Sequence, residues 1–255
     1  KDGLVTEQIL LGVDRDYHCP AVLVHPAEAG TAQRTSIVLS HGDRQSAASA
    51  KIADAARRLA TAGLWVIVPD HASVEPHSLQ PLGDSTKPRF RGDEAAEFYG
   101  PGDAVGLPPL ALRVLDDLAA VRHLCARGEV SPTGILVAGQ ETGGVDACLA
   151  AVLDEHIAGV VSIDATTFRG WAQDAAPEQL HFFHIMPYLP SLLTKTDWDG
   201  VYAAIAPRPL VVIRPKNSWS RAGFDQLVAT VAGIYKLQQA ESVFHALNWR
   251  DVTPE

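Results

Sequence analysis

The sequence predicts an α/β fold, with a mostly parallel, twisted sheet flanked by helices. Three observations carry that expectation. Short apolar runs rich in β-branched residues, at 36–40, 64–68, 159–163 and 210–213, read as strands buried on both faces. Residues 46–62 have helical spacing and lie between the first two runs, and strand–helix–strand at this spacing implies parallel neighbours. The third is the stretch Ile135-Leu-Val-Ala-Gly-Gln-Glu-Thr-Gly-Gly144, where a buried strand meets a glycine-flanked turn and 145–153 resumes as a helix.

Composition narrows the possibilities further. A chain of 255 residues is long enough for one domain with a sizeable core, and we expect 1–255 to form it, with insertions at about 71–109 and 166–197. A net charge of −9 and a pI near 5.5 leave no basic stripe to neutralise phosphates, which argues against a nucleic-acid partner. No apolar run reaches the length of a membrane span. Cys19, Cys125 and Cys148 lack metal-ligand spacing and read as free thiols of the core. Nothing in the sequence implies a cofactor. The ends, beginning Lys1-Asp-Gly3 and finishing Thr253-Pro-Glu255, read as those of a fragment or one domain of a longer chain, so the compartment is left open.

Taken in order, residues 5–11 and 21–25 are expected as early strands around a turn at 12–20. Residues 36–40 end in His41-Gly42. In the helix 46–62, Ile52, Ala56, Leu59 and Ala60 recur at helical spacing, and Gly63 closes it. Trp65 in strand 64–68 reads as core. From 71 to 109 the periodicity vanishes, as in a lid, a binding loop or a disordered segment. Residues 110–125 resume as a helix whose buried face is expected to be Leu112, Leu115, Leu118, Val121, Leu124 and Cys125. Asp164 falls at the end of strand 159–163. A short helix at 198–205, strand 210–213, a helix at 224–238 and a last strand at 242–247 complete the chain.

This order of elements resembles an α/β-hydrolase, in particular the acetylxylan-esterase-like and dienelactone-hydrolase-like branch. The resemblance rests on Ile37-Val-Leu-Ser-His-Gly42, Ala62-Gly-Leu-Trp-Val-Ile-Val-Pro-Asp70, Asp116-Asp-Leu-Ala-Ala-Val-Arg-His-Leu124 and Ala206-Pro-Arg-Pro-Leu-Val-Val-Ile213. Gly139-Gln140-Glu141-Thr142-Gly143 has the layout of a nucleophile elbow, in which a serine is normally lifted above the sheet. The resemblance implies a serine, an acid and a histidine, and the sequence departs from it at each place. Glu141 stands in the nucleophile position, Asn217 or Ser218 in the acid position and Arg250 in the histidine position. The oxyanion loops would involve His41, Gly42, Asp43, Gln140 and Thr142.

A triad works because histidine removes the serine proton while the acid fixes its tautomer. Glu141 cannot form an ordinary acyl-ester intermediate, and Arg250 stays protonated and cannot act as a base. A carboxylate would also oppose the charge that an oxyanion hole stabilises. We therefore expect a degenerate esterase-like domain with a structural, assembly or carbohydrate-binding role, its partner being an active hydrolase copy in the same chain, a second copy in a homo-oligomer, or carbohydrate. The alternative is an active carboxylic-ester hydrolase using His245 as base or Asp164 as a relocated acid. An Asp43–Glu141 carboxylate pair and a His181/His184 metal pair are weaker candidates. Trp171, Trp198, Trp219 and Trp249 read as packing residues, with stacking on sugar rings as the alternative. By the same resemblance, a secreted or periplasmic location is compatible with the chain.

Overall fold

The computed structural model describes residues 3–28, 33–41, 50–71, 108–165, 167, 169, 189, 192–214 and 221–249. Strands β1 (Leu4–Gly12) and β2 (His18–Pro26) form a hairpin, paired antiparallel from Leu4 opposite Pro26 to Gly12 opposite His18. Both are longer than the sequence suggests. Cys19, Ala21 and Leu23 alternate inward, so the strand pattern runs back past Pro20, which lies just before pairing with the next strand begins at Ala21.

The remaining elements alternate. They are β3 (Arg34–His41), α1 (Ala50–Thr61), β4 (Trp65–Pro69), α2 (Pro109–Cys125), β5 (Val130–Gln140) and α3 (Thr142–Leu153), followed by β6 (Ile157–Ile163), α4 (Trp198–Ala203), β7 (Leu210–Ile213), α5 (Arg221–Leu237) and β8 (Phe244–Leu247). The eight strands form one sheet in the order β1-β2-β4-β3-β5-β6-β7-β8. The β1–β2 and β2–β4 pairs are antiparallel and all others parallel. The expected mostly parallel sheet is therefore present.

Side-chain alternation along the strands divides the core in two. Val38, Ile67, Ile135, Val137, Leu210 and Val212 face the larger cluster, which buries residues of α2, α3, α4 and α5. Their neighbours Ile37, Val66 and Val68 face a smaller cluster with Ala56 and Ala60 of α1. Trp65 is core, as expected, and so is Trp198. Cys19 and Cys148 are buried free thiols, while Cys125 is only half-buried. No helix among the described residues is long and apolar enough to cross a membrane.

Three expectations need correction. On α2, Val121 and Leu124 are buried, but Leu115 is exposed and Leu112, Leu118 and Cys125 are half-buried. The face turned inward carries Leu110, Arg113, Val114, Asp116, Asp117 and Ala120 instead, with Arg113 paired to Asp146 and Asp116 to Tyr17 and His71. The last strand begins at Phe244 rather than 242. The chain leaves α5 through Gln239, at φ 55, and Glu241–Val243 form a single 3-10 turn before the sheet. The short helix after Asp197 ends at Ala203, with the Asp197 carboxylate accepting from the Trp198 amide as its N-cap.

Candidate functional site

The parallel strands β3, β5, β6, β7 and β8 end along one edge of the sheet, where α/β folds place their sites. His41 is in register with Gln140, and Gln140 with Ile163, so the residues that follow these strands are neighbours. β5 ends at Gln140, α3 starts at Thr142, and Glu141 alone makes the turn, at φ 54 and ψ −120. This is the conformation of the first central residue of a type II′ turn, a position suited to glycine. Glu141 is thus one of three non-glycine residues with positive φ among the described residues. The Glu141 amide donates to Ile163 O at 2.9 Å, and its carbonyl accepts from Gly144 N at 3.1 Å, so the strained residue is tied to both sheet and helix.

The flanking glycines are there for lack of room. A Cβ on Gly139 would lie 2.1 Å from Gly143 O, and one on Gly144 would lie 2.3 Å from Ser162 Oγ. Ser162 cannot readily yield, because its hydroxyl is buried and shares a 2.7 Å hydrogen bond with Tyr202.

Around Glu141, the exposed Gln140 side chain donates to Asp164 Oδ2 at 2.7 Å, and Trp249 Nε1 donates to Asp164 Oδ1 at 3.0 Å. Asp164 itself has φ 61 and follows β6 directly. Its carboxylate thereby ties two strand ends to the segment after β8. His41 is buried, its Nε2 2.6 Å from Pro69 O, which fixes the ring at the end of β3. Thr142 opens α3, and its backbone N–H is at the helix N-terminus, as an oxyanion donor would be.

His245 lies within β8, opposite Val211, and is exposed. The strand is not shortened to free it at the sheet end, so the geometry offers it no place beside Glu141's turn. Gly42, Asp43, Asn217, Ser218 and Arg250 lie outside the described residues, as do His181, His184, Trp171 and Trp219. Among the described residues no group of three or more His, Cys, Asp or Glu side chains is arranged to hold a metal ion.

Sequence reasoning missed a buried polar cluster behind this edge. Arg113 donates from Nε to Asp146 Oδ2 at 2.7 Å and from Nη2 to Oδ1 at 3.3 Å, joining α2 to the helix that follows the elbow. Tyr17 donates to Asp116 Oδ1 at 2.8 Å, and His71 lies between Asp116 and Asp117. The available signal was the spacing of Arg113, Asp116 and Asp117 at i, i+3 and i+4, which puts all three charges on one side of a helix.

No protein-family model matches the chain, and no curated protein sequence matches it. Solved structures do. A candidate acetyl xylan esterase from Bacteroides fragilis superposes with a TM-score of 0.77 at 13% identity, over 100% of this chain and 68% of its own. A candidate dienelactone hydrolase from Klebsiella pneumoniae gives 0.62 at 13% identity, over 96% and 85%. A glucuronoyl esterase from Solibacter usitatus gives 0.63 at 15% identity, over 96% and 77%. With its eight-stranded, mostly parallel sheet and an elbow between β5 and α3, the chain has the α/β-hydrolase fold and is similar in structure to esterases and dienelactone hydrolases.

Proposed function

We propose that this is a catalytically degenerate, esterase-like domain whose role is assembly, support of an active copy or carbohydrate binding. The observation that carries the reading is a glutamate in the strained turn where a nucleophile would stand. Attack by its carboxylate on an ester would give an anhydride rather than an acyl-serine. Its charge, beside the Thr142 amide, would oppose an incoming oxyanion. Ser218 and Arg250 in the acid and histidine positions supply neither a carboxylate nor a base. Asp164 holds Gln140 and Trp249, a use that suits scaffolding of the sheet edge. We read residues 1–255 as one such domain, with insertions at about 71–109 and 166–197.

The test is turnover of p-nitrophenyl acetate. The expected result is no hydrolysis above the spontaneous rate. Turnover that Glu141→Ala abolishes would establish an active hydrolase and end this reading. Titration with xylo-oligosaccharides, with Trp249→Ala for comparison, separates carbohydrate binding from assembly.

A further inference from the structure

The cluster behind the sheet edge contains a proton-counting problem. His71 Nδ1 is 3.3 Å from Asp116 Oδ2 and Nε2 is 3.5 Å from Asp117 Oδ1, with all three side chains at 0% exposure. A neutral imidazole has one N–H. Were both carboxylates ionised, one ring lone pair would face a carboxylate oxygen in the buried interior, at high cost. Only two arrangements avoid this: an imidazolium, or a neutral imidazole facing a protonated carboxyl. Each places one extra proton between His71 and one aspartate.

The surroundings say which aspartate. Asp116 accepts from Tyr17 at 2.8 Å and faces Nδ1, as an ionised carboxylate does. Neither oxygen of Asp117 makes a hydrogen bond within normal limits, nor does His71 Nε2. Among the described residues, the other groups facing this pair come from four elements. The Ser40 hydroxyl of β3 favours the Asp117 carboxylate, and the His41 ring lies 4.9 Å from that of His71. The buried Cys19 thiol of β2 is close to Asp116, Asp117 and Asp70. On α2 the Arg113 guanidinium opposes an imidazolium, while Asp146 of α3 opposes a second carboxylate.

We propose that His71 and Asp117 hold one proton as a shared unit, which the folded chain keeps above about pH 6.5 where the unfolded chain has lost it, making a pH-sensitive clasp between the end of β4 and helix α2. Burial, chiefly, and Asp146 push the Asp117 carboxyl well above its usual range. Burial, then Arg113, lowers His71 to about 3. Taken singly, the raised Asp117 stabilises most at low pH, and its contribution is lost as pH rises from about 3.9 through the folded value. The lowered His71 contributes fully above about 6.5, and this is lost as pH falls toward 3. The two slopes cancel between about pH 4 and 6.5, where folded and unfolded chains each carry one proton on the pair. Above that window only the folded chain keeps it.

The test is urea unfolding of the whole chain from pH 5 to 9, with Asp117→Asn for comparison. In the native chain the unfolding constant should rise about tenfold per pH unit above 6.5 until the folded pair titrates. In Asp117→Asn the amide donates to Nε2 without titrating, so this excess slope should disappear. Equal slopes in the two proteins would overturn the proposal. Should the variant fail to fold, carboxyl 13C and imidazole 15N shifts of the native chain at pH 7 decide instead. A protonated Asp117, or an ionised Asp117 beside an imidazolium, supports the clasp. An ionised Asp117 beside a neutral imidazole refutes it.

Discussion

Replacing Arg113 by methionine tests how the helix after the elbow is held. The guanidinium and the Asp146 carboxylate are both 0% exposed and meet at 2.7 Å. At about 4 Å between charge centres and an effective dielectric near 20, their attraction is about 4 kcal/mol. No solvent is at hand to replace the lost charge. Arg113→Met should therefore cost about 3–5 kcal/mol, because the carboxylate stays buried without its counter-charge. That is a large part of the 5–15 kcal/mol typical of a folded domain. Arg113→Met with Asp146→Leu removes both charges and should cost far less than the two single changes summed. Urea unfolding at pH 6 measures all three. The exposed Asp54–Arg58 pair of α1, at 3.6 Å, is the control, and losing it should cost at most about 0.5 kcal/mol. A loss below about 1 kcal/mol in Arg113→Met, or additive single changes, would refute the reasoning.

Three further outcomes are expected. Glu141→Gly should raise the melting temperature, since relief of strain worth about 1–3 kcal/mol exceeds the chain entropy that glycine adds, about 0.4–1 kcal/mol; a lower melting temperature would show that the turn stores no strain. Gly139→Ala should destabilise by more than about 3 kcal/mol or prevent folding, as its Cβ would fall 2.1 Å from a backbone oxygen; circular dichroism melts check this, and an unchanged melt would contradict the close approach. Glu141→Ser alone should leave p-nitrophenyl acetate unhydrolysed, whereas adding Arg250→His and Ser218→Asp restores the residue types of a triad; activity in the single variant would mean that a base was present throughout.

Much of the sheet was legible because its strands are extreme in composition. Residues 64–68 and 210–213 are continuous apolar runs, and a strand between parallel neighbours buries both faces. The elbow was legible for a different reason. Glycines at 139, 143 and 144 mark a backbone approach that side chains would block, and the gaps at Gly139 and Gly144 are of that kind. β8 was misplaced by two residues because Ser242 and Val243 suit a strand locally. The turn out of α5 instead claims them for a 3-10 segment.

The charges of α2 show what local pattern could not supply. A helix containing Arg113, Asp116 and Asp117 suggests a solvated stripe, and the leucines then suggest the core. Hydropathy scores each residue alone, whereas burial of a charge depends on partners. Here those partners are remote: Asp146 is 33 residues from Arg113, His71 is 45 from Asp116 and Tyr17 is 99 from Asp116. Once these groups converge, the helix can turn its charges inward and leave Leu115 at the surface. An uncompensated carboxylate inside would cost several kcal/mol, while a half-exposed leucine forgoes only part of about 1.5–3 kcal/mol. The partnered charges thus decide which face of α2 is buried, and through Asp146 they also set how α3, and with it the Glu141 turn, is seated against the sheet.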